Sequence, residues 1–408
     1  MRPAPPFHAA ATTLPARMSP ALVVLTLSLL LGLQPITTDL YLPALPGLTQ
    51  DLGASMAQAQ RTLSQLLLAF GVSQLVWGPL SDRFGRRPVL LLGLLAYLLA
   101  ALGSALSASM ELLILWRTLQ GVAMGAGVVC ARAIVRDLYA PAQGAIAMSK
   151  GLSGLGVIAC LAAPLGGLLT AWLDWHAALL ALAVFGAATL ALIAWRFEET
   201  LAHPQALQWR PLLRTGWEIL RTPQFVAFSA LSMASYGGLF TYLAASSFVY
   251  IRVLGFSSTQ YGLAMFLNAF VYLLGTFACR RLVARLGVRR AVAVAGLFTL
   301  TGGTGMVLLA QSGVVAGWAI MLPMSTFMFA HGIHQPCSQS GAVAPFPQAA
   351  GTASALNGFL MMLVAFATGQ WLGTHLNASV LPLAYAMGFW SLLLVLCAWI
   401  LVHRYGPR

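Results

Sequence analysis

Apolar runs long enough to cross a bilayer recur about a dozen times along this 408-residue chain, and no other feature restricts its fold so severely. A helix spanning the hydrocarbon needs about 20 apolar residues. Such helices are predicted at about 20–43, 57–80, 88–108, 112–137, 144–172, 175–196, 223–250, 257–280, 290–311, 314–341, 348–374 and 379–403. Hydrophobic residues make up 59% of the chain and charged residues 8%. An ordinary soluble domain carries about 25% charged residues, so that class is excluded. The first run, Ala21–Pro43, exceeds the roughly 7–15 residues of a signal-peptide core and reads as a helix that stays. The expected class is all-α integral membrane.

A formal charge of +13 could be read as a nucleic-acid footprint, but the placement of the charges argues otherwise. Arg83, Arg86 and Arg87 fall between the second and third runs, and Arg136 and Lys150 flank the fourth-to-fifth connection. Arg196, Arg210, Arg214 and Arg221 occupy the long central connection, and Arg280, Arg281, Arg285, Arg289 and Arg290 surround the eighth-to-ninth. The alternate connections hold little beyond Arg61 and Arg252. Basic residues collect on the cytoplasmic side of membrane helices, so both termini are expected there. The bilayer is the partner this pattern implies, and no nucleic acid is expected. All five cysteines (Cys130, Cys160, Cys279, Cys337 and Cys397) lie within or at the ends of predicted helices, so structural disulfides are not expected.

Residues 197–222 form the one long polar interruption. They divide the chain into a tail (1–19), a six-helix half (20–196), the central loop, a second half (223–403) and a short tail (404–408). The loop's apolar members, Trp209, Leu212, Leu213, Trp217 and Leu220, suit an amphipathic segment lying along the cytoplasmic membrane surface. The halves echo each other. Asp82-Arg83-Phe84-Gly85-Arg86-Arg87 follows the second helix, and Ala284-Arg285-Leu286-Gly287-Val288-Arg289 follows the eighth. Duplicated six-helix halves around a central loop place a substrate site near the midplane between them.

The run Gly78-Pro79-Leu80-Ser81-Asp82-Arg83-Phe84-Gly85-Arg86-Arg87 resembles the signature loop of the major facilitator superfamily. Asp39-Leu40-Tyr41-Leu42-Pro43, Arg117 with Gln120-Gly121, Arg136-Asp137-Leu138-Tyr139 and Gly351-Thr352-Ala353-Ser354 together resemble its bicyclomycin-resistance drug efflux family. The resemblance covers the whole chain. It implies the major facilitator fold, two pseudo-symmetric six-helix bundles rocking around a central cavity. It also implies export of drugs, and sometimes metabolites, in exchange for protons.

Asp39 stands out among the acids. The other eight fall in loops or at predicted helix ends, and none follows Glu218. A carboxyl group inside a spanning helix costs about 2.5–3.5 kcal/mol on insertion scales and marks function by default. Arg117 lies about 8 Å into the fourth helix, at 1.5 Å per residue, a depth similar to that of Asp39. The resemblance makes these helices neighbours, so Asp39 and Arg117 are the expected proton-coupling pair. The alternative for Arg117 is a purely structural bond to backbone carbonyls. Asp82, Arg83, Arg86 and Asp137 match the family's cytoplasmic gate. There Arg86 would reach Asp137, and a carboxylate would lie against the positive N-terminus of the eleventh helix. The glycines and Pro164 of the fifth helix, Pro164-Leu165-Gly166-Gly167, depart from the family's usual Pro-x-x-Gly-Gly, and small residues there also suit plain close packing.

Tyr41, Tyr236, Phe240, Asn268 and Asn357 are the candidate substrate contacts, since aromatic walls with few polar groups suit amphipathic ligands. His331, His334 and Cys337 would share roughly one helix face. With no acid nearby they read as a helix-end polar cluster rather than a metal site, and His331 is also considered as a secondary proton site. No metal or cofactor is expected beyond protons as the coupling ion. The expected protein is a monomeric proton-driven exporter of small amphipathic molecules in a bacterial inner membrane. Metabolite or amino-acid export and proton symport are the rival transport readings. A membrane enzyme lacks a metal cluster or a nucleophile with a base.

Overall fold

The computed structural model describes residues 18–202, 204, 209–377 and 379–406. Residues 1–17 of the tail expected at 1–19, part of the central loop and the last two residues lie outside them.

All the predicted spans are helical, and the described residues contain no strand. The first half runs α1 (Pro20–Asp39), α2 (Leu45–Asp51), α3 (Met56–Phe84), α4 (Arg86–Ala105), α5 (Met110–Leu138), α6 (Pro141–Trp172) and α7 (Trp175–Arg196). The connection holds α8 (Trp209–Leu220). The second half runs α9 (Pro223–Ser247), α10 (Ser258–Gln311), α11 (Gly317–Val343), α12 (Ala350–His375) and α13 (Leu381–Leu396), with π-helical turns extending α9 to Val253 and α13 to Val402. Long as it is, α10 is two spans, because Gly287 at φ 76°, ψ 168° breaks the helix. Twelve crossings return the chain to the face on which α1 begins, called here the terminal face.

Two boundaries differ from expectation for physical reasons. The first helix ends at Asp39 rather than continuing to 43, and a 3-10 turn (Leu42–Ala44) leads into the short α2. Pro43 and Pro46 cannot donate backbone hydrogen bonds and disfavour helix in the residue before them. The predicted loop after the second span shrinks to one residue. α3 continues through Asp82 and Arg83 to Phe84, Gly85 turns at φ 101°, ψ 160°, and α4 starts at Arg86. Apolar content marks where a helix leaves the hydrocarbon, not where it stops.

The repeat seen in sequence is also a repeat of backbone geometry. Ser55 and Gln58 form a capping box at the start of α3, and Ser257 and Gln260 form another at the start of α10. In each the serine hydroxyl accepts a backbone N–H and the glutamine returns the bond to the serine N–H. The breaking glycines, Gly85 and Gly287, keep the same spacing from those boxes.

The halves meet along two seams, α3 with α12 and α6 with α10. Small residues bring the backbones together. A Cβ on Gly71 would lie 2.6 Å from Met362 Cβ, one on Gly373 3.0 Å from Ala57 Cα, and one on Gly262 2.9 Å from Ala163 O. On the face opposite the termini the halves are also hydrogen-bonded. Gln60 Nε2 donates to Ala244 O at 2.8 Å, and Arg252 Nη2 donates to Pro46 O at 2.6 Å. That face is closed.

On the terminal face α8 rests against α12, with Ile219 buried and Gly216 facing Leu356. Leu213 and Trp217 on the same helix stay exposed, as an interfacial helix requires.

Gly85 and Gly287 share a backbone region nearly confined to glycine, where another residue costs on the order of 1–3 kcal/mol. A Cβ on Gly85 would also stand 2.5 Å from Glu199 Oε2, whereas one on Gly287 meets nothing within 4 Å. Gly85→Ala is therefore expected to lower the melting temperature of the detergent-solubilised protein more than Gly287→Ala, and equal shifts would remove the contact from the account.

Candidate functional site

Four segments converge at the terminal end of the first half. Because the single residue Gly85 separates α3 from α4, the Arg86 side chain turns back between α3 and α5. Its Nη1 donates to Asp82 Oδ1 at 2.7 Å and to Ser81 Oγ at 3.0 Å, and its Nε donates to Asp137 Oδ2 at 2.8 Å. Arg86 is 1% exposed, Asp137 12% and Asp82 32%. Arg136 adds a bond to Asp82 Oδ1 at 3.1 Å but is 59% exposed. From the chain after α7, Glu199 accepts the backbone N–H groups of Arg86 at 2.8 Å and Arg87 at 3.0 Å. It thereby satisfies donors that the start of α4 leaves unpaired, and places negative charge against a positive helix end.

Three of the four expected gate residues are thus together. Arg83 is exposed and forms no ion pair among the described residues. Arg136 and Glu199 belong to the cluster and were not assigned to it from sequence. Glu199's only sequence signal is its acidity just past a span. The expected carboxylate at the start of the eleventh span (α12) is replaced by arginines. A Cβ on Gly351 would lie 3.9 Å from Arg136 Nη1, and Arg132 Nη1 donates to Ser354 Oγ at 2.8 Å.

The expected pairing of Asp39 with Arg117 is not formed. Arg117 is fully buried, with Nη2 donating to Thr37 O at 3.0 Å, Nη1 to Gln120 Oε1 at 2.8 Å, and its guanidinium 4.3 Å from the centre of the Tyr41 ring. The bend after Asp39 explains this, since the end of α1 exposes carbonyls with no helical donor. Asp39 is half-buried and accepts from Thr38 Oγ1 at 2.9 Å, with no ion-pair partner among the described residues. The 3-10 turn that follows it packs against α9 and α10 of the other half.

The candidate substrate residues separate into two groups. Tyr41 donates to Thr62 Oγ1 at 2.9 Å beneath Arg117, and Asn268 bonds Tyr242 Oη at 2.8 Å and Ser325 at 3.3 Å. Both are engaged within their own halves. Phe240 packs beside Gly369 of α12. Tyr236 Oη and Asn357 Oδ1, by contrast, are buried without a partner, which leaves them available to a ligand.

His331, His334 and Cys337 diverge rather than converge. His331 Nδ1 bonds Ser235 Oγ on α9 at 2.8 Å, His334 Nε2 bonds Thr299 at 3.3 Å, and Cys337 faces Cys279 at 3.7 Å.

Two six-helix halves joined along two seams, with a charge cluster on one face and an unpaired acid between them, are the architecture of a polytopic membrane transporter. The Major Facilitator Superfamily model matches residues 27–369, and the chain belongs to that superfamily. It is 27% identical to the bicyclomycin resistance protein homolog of Haemophilus influenzae, covering 93% of this chain and 96% of that protein. It is 31% identical to multidrug resistance protein D of Escherichia coli, over 92% and 94%. Among solved structures, the human organic anion transporter MFSD10 (TETRAN) superposes with a TM-score of 0.69 at 25% identity, over 94% and 100% of the two chains. The E. coli xylose transporter XylE, partially occluded and inward open, gives 0.73 at 14% identity over 95% and 98%, a likeness of fold alone. The family resemblance read from the motifs is therefore met.

The terminal-face cluster makes a graded prediction. In a double-mutant cycle on thermal stability, Arg86 with Asp137 should show a coupling of about 2–3 kcal/mol, because either truncation leaves a charge buried and unpaired. Arg136 with Asp82, open to solvent, should couple by less than about 1 kcal/mol. The reverse order would place the principal ion pair on Arg136.

Proposed function

We propose that the protein exports small amphipathic drugs across a bacterial inner membrane in exchange for protons. The terminal face is the cytoplasmic one, as the basic residues on it support. The observation that carries the reading is Asp39, a carboxyl group without a cation partner among the described residues, at the bend where the first half packs against α9 and α10 of the second. Resistance proteins named for bicyclomycin and for multiple drugs, to which the chain is similar along most of its length, support drugs as the cargo.

A carboxyl group changes its hold on a proton when water enters or leaves its surroundings. Asp39 occupies a place where rocking of the halves would do this. With the opposite face closed, a drug enters from the cytoplasm and rests against Tyr236 and Asn357, whose free Oη and Oδ1 can bond it. Opening the other way requires Gln60 and Arg252 to release Ala244 O and Pro46 O, and it closes the cytoplasmic mouth around Asp82, Arg86 and Asp137. Asp39 takes a proton from outside and loses it inside. Arg117 holds the bend beside Asp39 in place, through Thr37 and Tyr41.

Inside-out vesicles with an acidic lumen test the reading. Addition of a transported drug should release protons from the lumen, and Asp39→Asn should abolish that release while drug binding persists. A variant that still concentrates drug against its gradient would remove Asp39 from coupling. Uptake of protons on drug addition would indicate symport.

With one carboxyl group between the halves, one proton is expected per cycle. Export of a neutral drug then moves one positive charge inward, and the membrane potential contributes about 2.3 kcal/mol per 100 mV. Export of a monovalent cation is electroneutral. Collapsing the potential alone should slow neutral-drug export and leave monocation export unchanged, whereas collapsing the pH gradient should slow both. Equal potential dependence for the two would require a second proton site.

A further inference from the structure

Arg132 belongs to neither the gate cluster nor the coupling site. It projects from α5 toward α12 of the other half, where Nη1 donates to Ser354 Oγ at 2.8 Å. No carboxylate lies within ion-pair distance of it among the described residues, although Arg86 and Arg136 nearby on the same face are paired with Asp82 and Asp137. The helices α5 and α12 are not packed along their lengths, so the long side chain bridges a gap between the halves. Its Nε and Nη2 have no protein acceptor, yet they are not among the side-chain nitrogens sealed away from solvent. A guanidinium with one bond made and most of its five N–H donors open is a fork shaped for a carboxylate or another planar anion.

Depth fixes its role. Arg132 lies six residues before the end of α5, about 9 Å in from the terminal face at 1.5 Å per residue. Asp39 lies 19 residues beyond the start of α1, about 28 Å in on the same scale. A molecule entering from the terminal face thus meets the part-buried Arg132 guanidinium, which has no carboxylate partner among the described residues, well before it meets the acid.

We infer that Arg132 is a specificity-determining residue that recruits anionic or carboxylate-bearing amphipaths at the cytoplasmic mouth and disfavours cations. This rests on the export reading above and narrows its cargo. As an anionic group enters, Arg132 exchanges Ser354 Oγ for it and offers its fork to that group. Exchange of a monovalent anion for one proton moves two positive charges inward, so such cargo gains more from the membrane potential than a neutral drug does.

The test uses the full-length protein in proteoliposomes and a matched panel: aryl carboxylates, their neutral amides, and tetraphenylphosphonium. The wild type should export the carboxylates about ten-fold faster than the amides at low concentration, the scale of one charge-assisted hydrogen bond. Arg132→Gln should erase that preference and raise tetraphenylphosphonium export, while Arg132→Lys should keep part of it. Ser354→Ala, which removes this bond between the halves and keeps the charge, should preserve the preference. Equal losses for all three cargo types in both Arg132→Gln and Ser354→Ala would make the contact a mere latch and overturn the inference. So would a wild type that exports amides and tetraphenylphosphonium but not carboxylates. Export of no panel member would count against drug export itself.

Discussion

Arg86 lies almost wholly buried between the carboxylates of Asp82 and Asp137, and the terminal end of the first half is arranged to make that possible. Taking a guanidinium out of water is expensive unless anions and acceptors replace the water. Here two carboxylates and the Ser81 hydroxyl do so, drawn from α3 and α5. The one-residue turn at Gly85 is needed because only it delivers Arg86 back between those helices. Glu199 then binds the N–H groups that the turn uncovers. Four segments are fixed by one buried charge and the backbone angle that places it.

The same cost explains the interior. Arg117 is buried with no acid, but the broken end of α1 supplies a carbonyl, Gln120 an amide oxygen and Tyr41 a ring face. A guanidinium, weakly hydrated for a cation, tolerates such neutral company. Asp39, a few atoms along the chain, is left with a threonine hydroxyl. The second half avoids the cost by containing no Asp or Glu at all. Its helices are pinned through neutral groups instead, Asn268 to Tyr242, Ser246 to Tyr261 and His331 to Ser235.

The halves are therefore alike in backbone and unlike in charge. Capping boxes and positive-φ glycines recur at matched places, but Arg86 corresponds to Val288 and Asp82 to Ala284. The second half's counterpart of the ion cluster is Arg289 bonded to the carbonyl of Gly406. A charge network on one half only lets the other slide past its rim without a matching desolvation cost, and Arg132 with Ser354 is the direct side-chain bond seen there.

Apolar length alone determined the spans, because a bilayer imposes one thickness on every crossing. Local chemistry determined their turns, since the glycines at 85 and 287 and the serine–glutamine caps act within a few residues of chain. The pairing of Arg86 with Asp137 was also legible, through the motifs carrying the family resemblance. Tertiary structure decided the rest. Asp39 and Arg117 match in depth, yet Arg117 turns to Thr37 O. Tyr41 and Asn268 look like ligand contacts in sequence but are engaged by Thr62 and by Tyr242. The partners of Arg132 and Glu199 have no signal in the sequence, because Ser354 and the start of α4 reach them only in the fold. Residue number along a helix gives depth, at a fixed rise per residue. It does not give the direction a side chain faces in the packed bundle, nor which carbonyl a neighbouring proline has freed, and hydrogen bonds are chosen by those two things.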